Sequence, residues 1–165
     1  MGDSRRVEPG PGQESVWDYP RPPAALRLQR HIRVRFGGAT IVESRRPIKV
    51  METSHPPVYY VPFEDVLDGV LVESAHHTYC EYKGQASYCH VRVGEREASN
   101  AAWFYPDPAP GYELLAGHVA FYPQLMDECT VDGEIVTPQE GRFYGGWITS
   151  EIVGPFKGSP ATFGW

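Results

Sequence analysis

Thr78-Tyr-Cys-Glu-Tyr-Lys-Gly-Gln-Ala-Ser-Tyr88 gathers a thiol (Cys80), an amine (Lys83) and three phenols (Tyr79, Tyr82, Tyr88) around Gly84. A cysteine becomes a nucleophile when a nearby cation favours its thiolate, and Lys83 lies three residues from Cys80. The alternative is a buried thiol acting as a small hydrophobe; Cys89 and Cys129, without comparable neighbours, fit that role. Lys83 precedes a glycine, a frequent setting for an exposed turn. Aimed into an aromatic cleft, it can instead act as a base, an amine nucleophile or a clamp for an anionic group. Tyr88 and Asp65 complete the candidate polar set. Glu64 and Asp65 follow Tyr60 closely, but adjacent residues do not share a face, so they make a poor acid/base dyad. Asp65 is either a partner for Lys83 or a residue that fixes a turn. His55 and His90 are candidate general acids or bases, since histidine titrates near neutrality.

Aromatics are the other chemical resource. Tyr60, Tyr82, Tyr88, Trp103, Tyr105, Tyr122 and Trp147 are candidates for the wall of a small-molecule pocket, with His90 on the strand face of Tyr88. Buried phenols and indoles need hydrogen-bond partners. The alternative is an ordinary aromatic core.

Several chemistries lack their signatures. Cys-x-x-Cys pairs are missing, so no metal site is expected. Neither a Gly-x-Ser-x-Gly elbow nor a glycine-rich phosphate loop is present. No cofactor is expected. The formal net charge of −6 and the pI near 5.5 oppose a nucleic-acid footprint. Arginines 27, 30, 33 and 35 form the densest basic run; alternation with Ile32, Val34 and Phe36 puts part of it on the wet face of a strand. Three cysteines, an odd number, do not suggest a disulfide framework. No apolar run approaches the roughly 18 residues of a membrane span. A cytoplasmic protein without membrane contact is the expectation.

The elements that must position these groups are short. Sixteen prolines and seventeen glycines among 165 residues favour strands and turns over long helices. Residues 1–15 are expected to be a flexible arm and 16–165 a single β-rich domain. Trp17 to Pro23 should be extended, with Trp17 and Tyr19 as surface anchors. Strands are expected at 32–36, 39–44, 48–52, 58–61, 86–93, 98–105 and 118–122. Helical turns are expected at 62–66 and 112–116. Asp132-Gly133 is a hairpin signal. Trp17-x-Tyr-Pro-x-Pro22 echoes Trp103-x-Tyr-Pro-x-Pro108, through either duplication or chance.

Four motifs, in order, carry a resemblance: Trp17-Asp-Tyr-Pro-Arg-Pro-Pro23, Tyr60-Val-Pro-Phe-Glu-Asp-Val66, the Thr78–Tyr88 segment and Gly145-Gly-Trp-Ile-Thr-Ser-Glu-Ile-Val-Gly-Pro-Phe-Lys-Gly158. From Trp17 to Trp165 the chain resembles a bacterial family catalogued as domain of unknown function 427, sometimes labelled nucleotidyltransferase-like. No Gly-Ser with paired aspartates supports that label here. The resemblance implies a β-tent-like pair of antiparallel sheets, and it places Asp65, Cys80, Lys83 and Tyr88 within recurring motifs. It supplies no reaction.

The expectation is therefore a mainly β protein with an aromatic-lined cleft between two sheets. The cleft would bind, and as an enzyme transform, a small organic anion or carbonyl compound. The alternative is a non-catalytic interaction or dimerisation module, working through exposed aromatics or as a homodimer.

Overall fold

Glycine turns and proline segments cut the chain into short strands. The structure, a computed structural model, describes residues 6–141 and 144–157. Met1–Arg5 of the expected arm, and Gly158 of the last motif, lie outside the described residues. The strands are β1 (Glu14–Ser15), β2 (Ala24–Arg27), β3 (Ile32–Phe36), β4 (Ala39–Ser44), β5 (Ile48–Met51), β6 (Val58–Pro62), β7 (Leu71–Cys80) and β8 (Gly84–Val93). They continue with β9 (Arg96–Phe104), β10 (His118–Phe121), β11 (Glu128–Val131), β12 (Glu134–Ile135), β13 (Thr137–Pro138), β14 (Trp147–Ile148) and β15 (Ile152–Val153). Among the described residues the only helical elements are four single 3₁₀ turns. The protein is mainly β, and its sheets do not close into a barrel.

Seven strands form the large antiparallel sheet, in the order β2-β5-β6-β10-β9-β8-β7. Four form the small one, β12-β11-β3-β4. The small sheet is built from two hairpins. Gly37 and Gly38, both at positive φ, join β3 to β4, and Asp132-Gly133, also at positive φ, joins β11 to β12. Two consecutive positive-φ residues match the right-handed twist of the flanking strands. In β3, Ile32, Val34 and Phe36 are buried while Arg33 and Arg35 remain partly exposed, as alternation requires.

The two sheets bury one core between them. Val34, Phe36 and Ile41 of the small sheet meet Tyr59, Val61, Val119 and Phe121 of the large one. Trp147 closes this core, its ring 5.5 Å from that of Tyr59 and its indole N–H donating to the Phe121 carbonyl at 3.1 Å. The opposite face of the large sheet carries a second buried cluster, including Ile48, Tyr60, Tyr88, Trp103 and Ala120. Its central strands are thus covered on both faces, and β10, His118-Val-Ala-Phe121, is buried throughout.

Three expectations need correction. Val16–Asp18 is a 3₁₀ turn rather than extended chain, because the Ser15 hydroxyl caps it by accepting from Trp17 N–H at 3.2 Å. Trp17 therefore lies in a turn while Trp103 lies in β9, and the two echoing segments differ in local structure. The expected strand 86–93 begins at Gly84, and its partner β7, ten residues long, was not foreseen. β7 is an edge strand with few buried side chains, so it shows little hydrophobic alternation.

The segment before Trp17 makes defined contacts. Val7 N–H donates to the Gly154 carbonyl at 3.0 Å, and β1 runs parallel to β15, with Glu14 opposite Ile152. Glu14 also accepts from the buried Lys49 ammonium at 2.6 Å. Trp17 is half-buried and donates from its indole to the Pro155 carbonyl at 3.0 Å; Tyr19 is buried.

Candidate functional site

Strand register builds the site. Ile48 pairs with Tyr60, Tyr60 with Ala120, Ala120 with Trp103 and Trp103 with Tyr88. These five residues cross five strands in one row on the outer face of the large sheet. Ala120, between two large rings, leaves space above itself. Tyr60 and Trp103 close over it, and the Trp103 indole donates to the Tyr60 hydroxyl at 3.1 Å. Trp103 also packs on Tyr122, with ring centroids 4.5 Å apart.

Above this row lies a cavity of about 920 Å³. Tyr60, Tyr88, Trp103, Tyr105 and Tyr122 form much of its wall. Thr78, Cys80 and Lys83 line one side, from β7 and its turn. His55, Gln139, Gly146 and Lys157 come from loops on another. The cleft expected between the two sheets lies instead on the far face of the large sheet. Packed side chains fill the space between the sheets.

Lys83 ends the three-residue turn between β7 and β8. Gly84 reverses the chain at φ +106, a conformation that favours glycine, with the backbone of Asp107 and Ala109 3.4 Å from where a Cβ would stand. The Lys83 carbonyl accepts from Ala109 N–H at 2.8 Å, tying the turn to that loop. Lys83 is 8% exposed and lines the cavity. No carboxylate of the described residues pairs with its ammonium, and no hydrogen bond holds it. Tyr88 shares a hydrogen bond with Thr78 at 3.0 Å, and the His76 ring lies 4.6 Å from its own.

The other candidates divide. Cys80 lines the cavity, half-buried. Burial pushes the thiols of Cys89 and Cys129 up. Asp65 lies outside the cavity. Arg46 grips its two oxygens at 3.2 Å each and Ser44 donates at 2.7 Å. Burial opposes its charge, but these partners outweigh burial and hold the carboxyl below its usual range. Asp65 is thus engaged with Arg46 rather than Lys83. Tyr82 packs on the edge of the aromatic cluster and Trp147 in the inter-sheet core, both away from the cavity lining. His90 was expected on the face of Ala86 and Tyr88. An irregularity in the β8–β9 register intervenes, and its Nδ1 accepts from Asn100 N–H at 3.0 Å.

That irregularity matters for positioning. β7 also shifts register, between Glu73 and His77, and Asn100 in β9 sits at φ +50. Ser74 joins these levels by donating to Asn100 Oδ1. Bulges re-aim side chains; His76 and Asn100, beside these irregularities, join the cavity lining. Alternation alone could not reveal this.

His55 lines the site, and its environment depresses its pKa. Burial, then the charges of Lys157, Lys83 and Arg21, lowers its pKa to about 4. Its Nδ1 lies 3.5 Å from Gln139 Nε2, and its ring packs edge-on to Tyr144 at 5.1 Å. Burial also pushes the phenols of Tyr60, Tyr105 and Tyr122 up, so they stay neutral. The folded chain keeps His55 neutral where the unfolded chain protonates it. Stability should therefore fall as pH drops through the window from about 6.5 towards 4, by roughly 1–2 kcal/mol between pH 7 and 5. His118, also lowered by burial, acts in the same direction. Urea denaturation at both pH values should show a smaller drop for His55→Asn than for wild type. Equal drops would deny His55 this role.

Sequence reasoning passed over Lys157, Gln139 and Asn100 as site residues. Only Lys157 carried a signal, as the lysine of the last quoted motif. Among the described residues no group of three His, Cys, Asp or Glu side chains could hold a metal, and no helix is long and apolar enough to cross a membrane.

No curated protein matches the chain. Residues 24–132 match a family described as a domain of unknown function, DUF427. The match takes in β2 to β11 with Lys83 and the aromatic row. It stops short of the Trp17 motif and of Gln139, Gly146 and Lys157. Spanning 109 of the 165 residues, it shows that the chain belongs to the DUF427 family.

Proposed function

We propose that this domain binds a small organic acid or carbonyl compound in the aromatic cavity, with Lys83 as its polar anchor. One observation carries the reading: a nearly buried ammonium faces an aromatic-walled cavity with no carboxylate of the described residues paired to it. A buried cation without a partner is costly, and an anionic or strongly polar ligand group removes that cost. The aromatic walls suit a flat apolar body. Exposed apolar side chains such as Leu26, Leu67, Tyr79 and Ile135 belong to different strands and loops, a pattern that needs no partner surface to explain it. Catalysis, if it accompanies binding, falls to the groups beside the anchor. The Lys83 ammonium would polarise a carbonyl, with Cys80 and Tyr88 on the same lining.

The probe is 8-anilinonaphthalene-1-sulfonate, an aromatic anion that fluoresces in apolar sites. Lys83→Met keeps the stem's packing and removes the charge. It should weaken binding about tenfold or more, roughly 1.4 kcal/mol. The melting temperature should hold or rise, since no cation remains to be desolvated. Equal affinity in both proteins, measured by fluorescence titration, would refute the anchor.

A further inference from the structure

The cavity holds a second ammonium. Lys157, half-buried, also lines it and pairs with no carboxylate of the described residues; its Nζ lies 5.8 Å from the Tyr144 ring centroid. Its position is fixed by its own backbone. Lys157 N–H donates to the Ser54 carbonyl at 2.9 Å, and its carbonyl accepts from Gln139 Nε2. Ser54 adjoins His55, so the loop that carries His55 also seats Lys157.

His55 lies within the electrostatic reach of both lysines and of Arg21. The one carboxylate on the lining, Glu52, pairs with neither lysine. Its charge is felt by Tyr112, in the outer aromatic cluster. Glutamine, asparagine and neutral histidine supply the remaining polarity around the lysines.

We propose that the ligand is a flat organic acid with two acidic groups, one held by Lys83 and the other by Lys157, beside His55 on the cavity lining. This rests on the cavity reading above and adds the ligand's charge and the second anchor. A single acidic group would leave one ammonium without a counter-charge. Two acidic groups neutralise both, and the aromatic wall takes the body that joins them. Neutralising the lysines also removes the repulsion that helps to keep His55 neutral. Arg21 remains, Tyr144 packs edge-on to the ring, Gln139 carries no charge, and the ligand's oxygens face the ring. Binding should therefore draw a proton onto His55 as pH falls.

The test is titration calorimetry with benzene-1,3-dicarboxylate and with benzoate at about pH 7.5. Wild type should bind the dicarboxylate about tenfold tighter than benzoate or better. Lys157→Met should erase that preference, weakening the dicarboxylate about fivefold or more beyond any loss for benzoate. At about pH 5.5, calorimetry in buffers of different ionisation enthalpy should report proton uptake with the dicarboxylate, lost in His55→Asn. Equal wild-type affinity for the two probes overturns the two-anchor inference while leaving the Lys83 cavity standing; this comparison needs no variant to fold. A preference that survives Lys157→Met also overturns it, by placing the second anchor elsewhere. Failure of both probes to bind at millimolar concentration overturns both readings.

Discussion

Trp147→Ala should cost about 3–5 kcal/mol of folding stability, among the largest single-residue losses in this chain. The indole is 1% exposed, packs on Tyr59, and closes the core between the two sheets. Its removal leaves a cavity that the pinned backbone cannot fill. Trp147 N–H donates to the Pro57 carbonyl at 2.8 Å, so the residue cannot slide inward. The Phe121 carbonyl also loses the indole donor, and a buried acceptor without a partner adds to the loss. Trp147→Phe separates the two contributions. It keeps much of the packing and should cost about 1–3 kcal/mol. Urea denaturation would decide. An alanine variant within about 1 kcal/mol of wild type would show that Trp147 does not close the core.

Gly146→Ala should cost about 2–3 kcal/mol for the addition of a single methyl group. The new Cβ would stand 2.4 Å from Gln139 Oε1 and 2.9 Å from Pro56 Cβ. Glutamine side chains usually move aside, but this one is 3% exposed and held at both ends. Its Oε1 accepts from Gly146 N–H at 3.2 Å, and its Nε2 donates to the Lys157 carbonyl. The strain therefore passes to the cavity wall. Gln139→Ala in the same chain should recover part of the loss, giving a double-mutant coupling of about 1 kcal/mol. A neutral Gly146→Ala, judged by melting temperature, would show that the loop yields.

The sequence was readable where period and turn chemistry agree. β3 and β4 follow from alternation and a positive-φ hairpin turn at the expected bounds, while for β11 and β12 only the Asp132-Gly133 turn between them was legible. β7 was not readable, because an edge strand with polar side chains on both faces has no apolar stripe to detect. The aromatic wall was legible as composition, but not in its membership. Tyr60, Tyr88 and Trp103 converge through register across sequence-distant strands, whereas Trp147, equally aromatic, faces the other core. Lys83 stood out by its motif. Lys157 and Gln139 come from irregular chain after β12, where no periodicity reports which way a side chain points. Asp65 had the right type and a plausible motif, but a nearby arginine took it, and only three-dimensional distance reveals that.

The parallel pairing of β1 with β15 imposes an order on synthesis. β1 leaves the ribosome early and has no strand to pair with until nearly the whole domain has followed it. The large sheet is free of that delay, because β7 to β10 form a continuous meander and β6 receives β10 directly. A nascent chain can therefore carry the aromatic row while the segment that bears Lys157 is still inside the exit tunnel. The cavity gains its second ammonium at the same late stage at which β1 finds its partner. Pairing of β1 and completion of the cavity's lining then fall at one stage of synthesis.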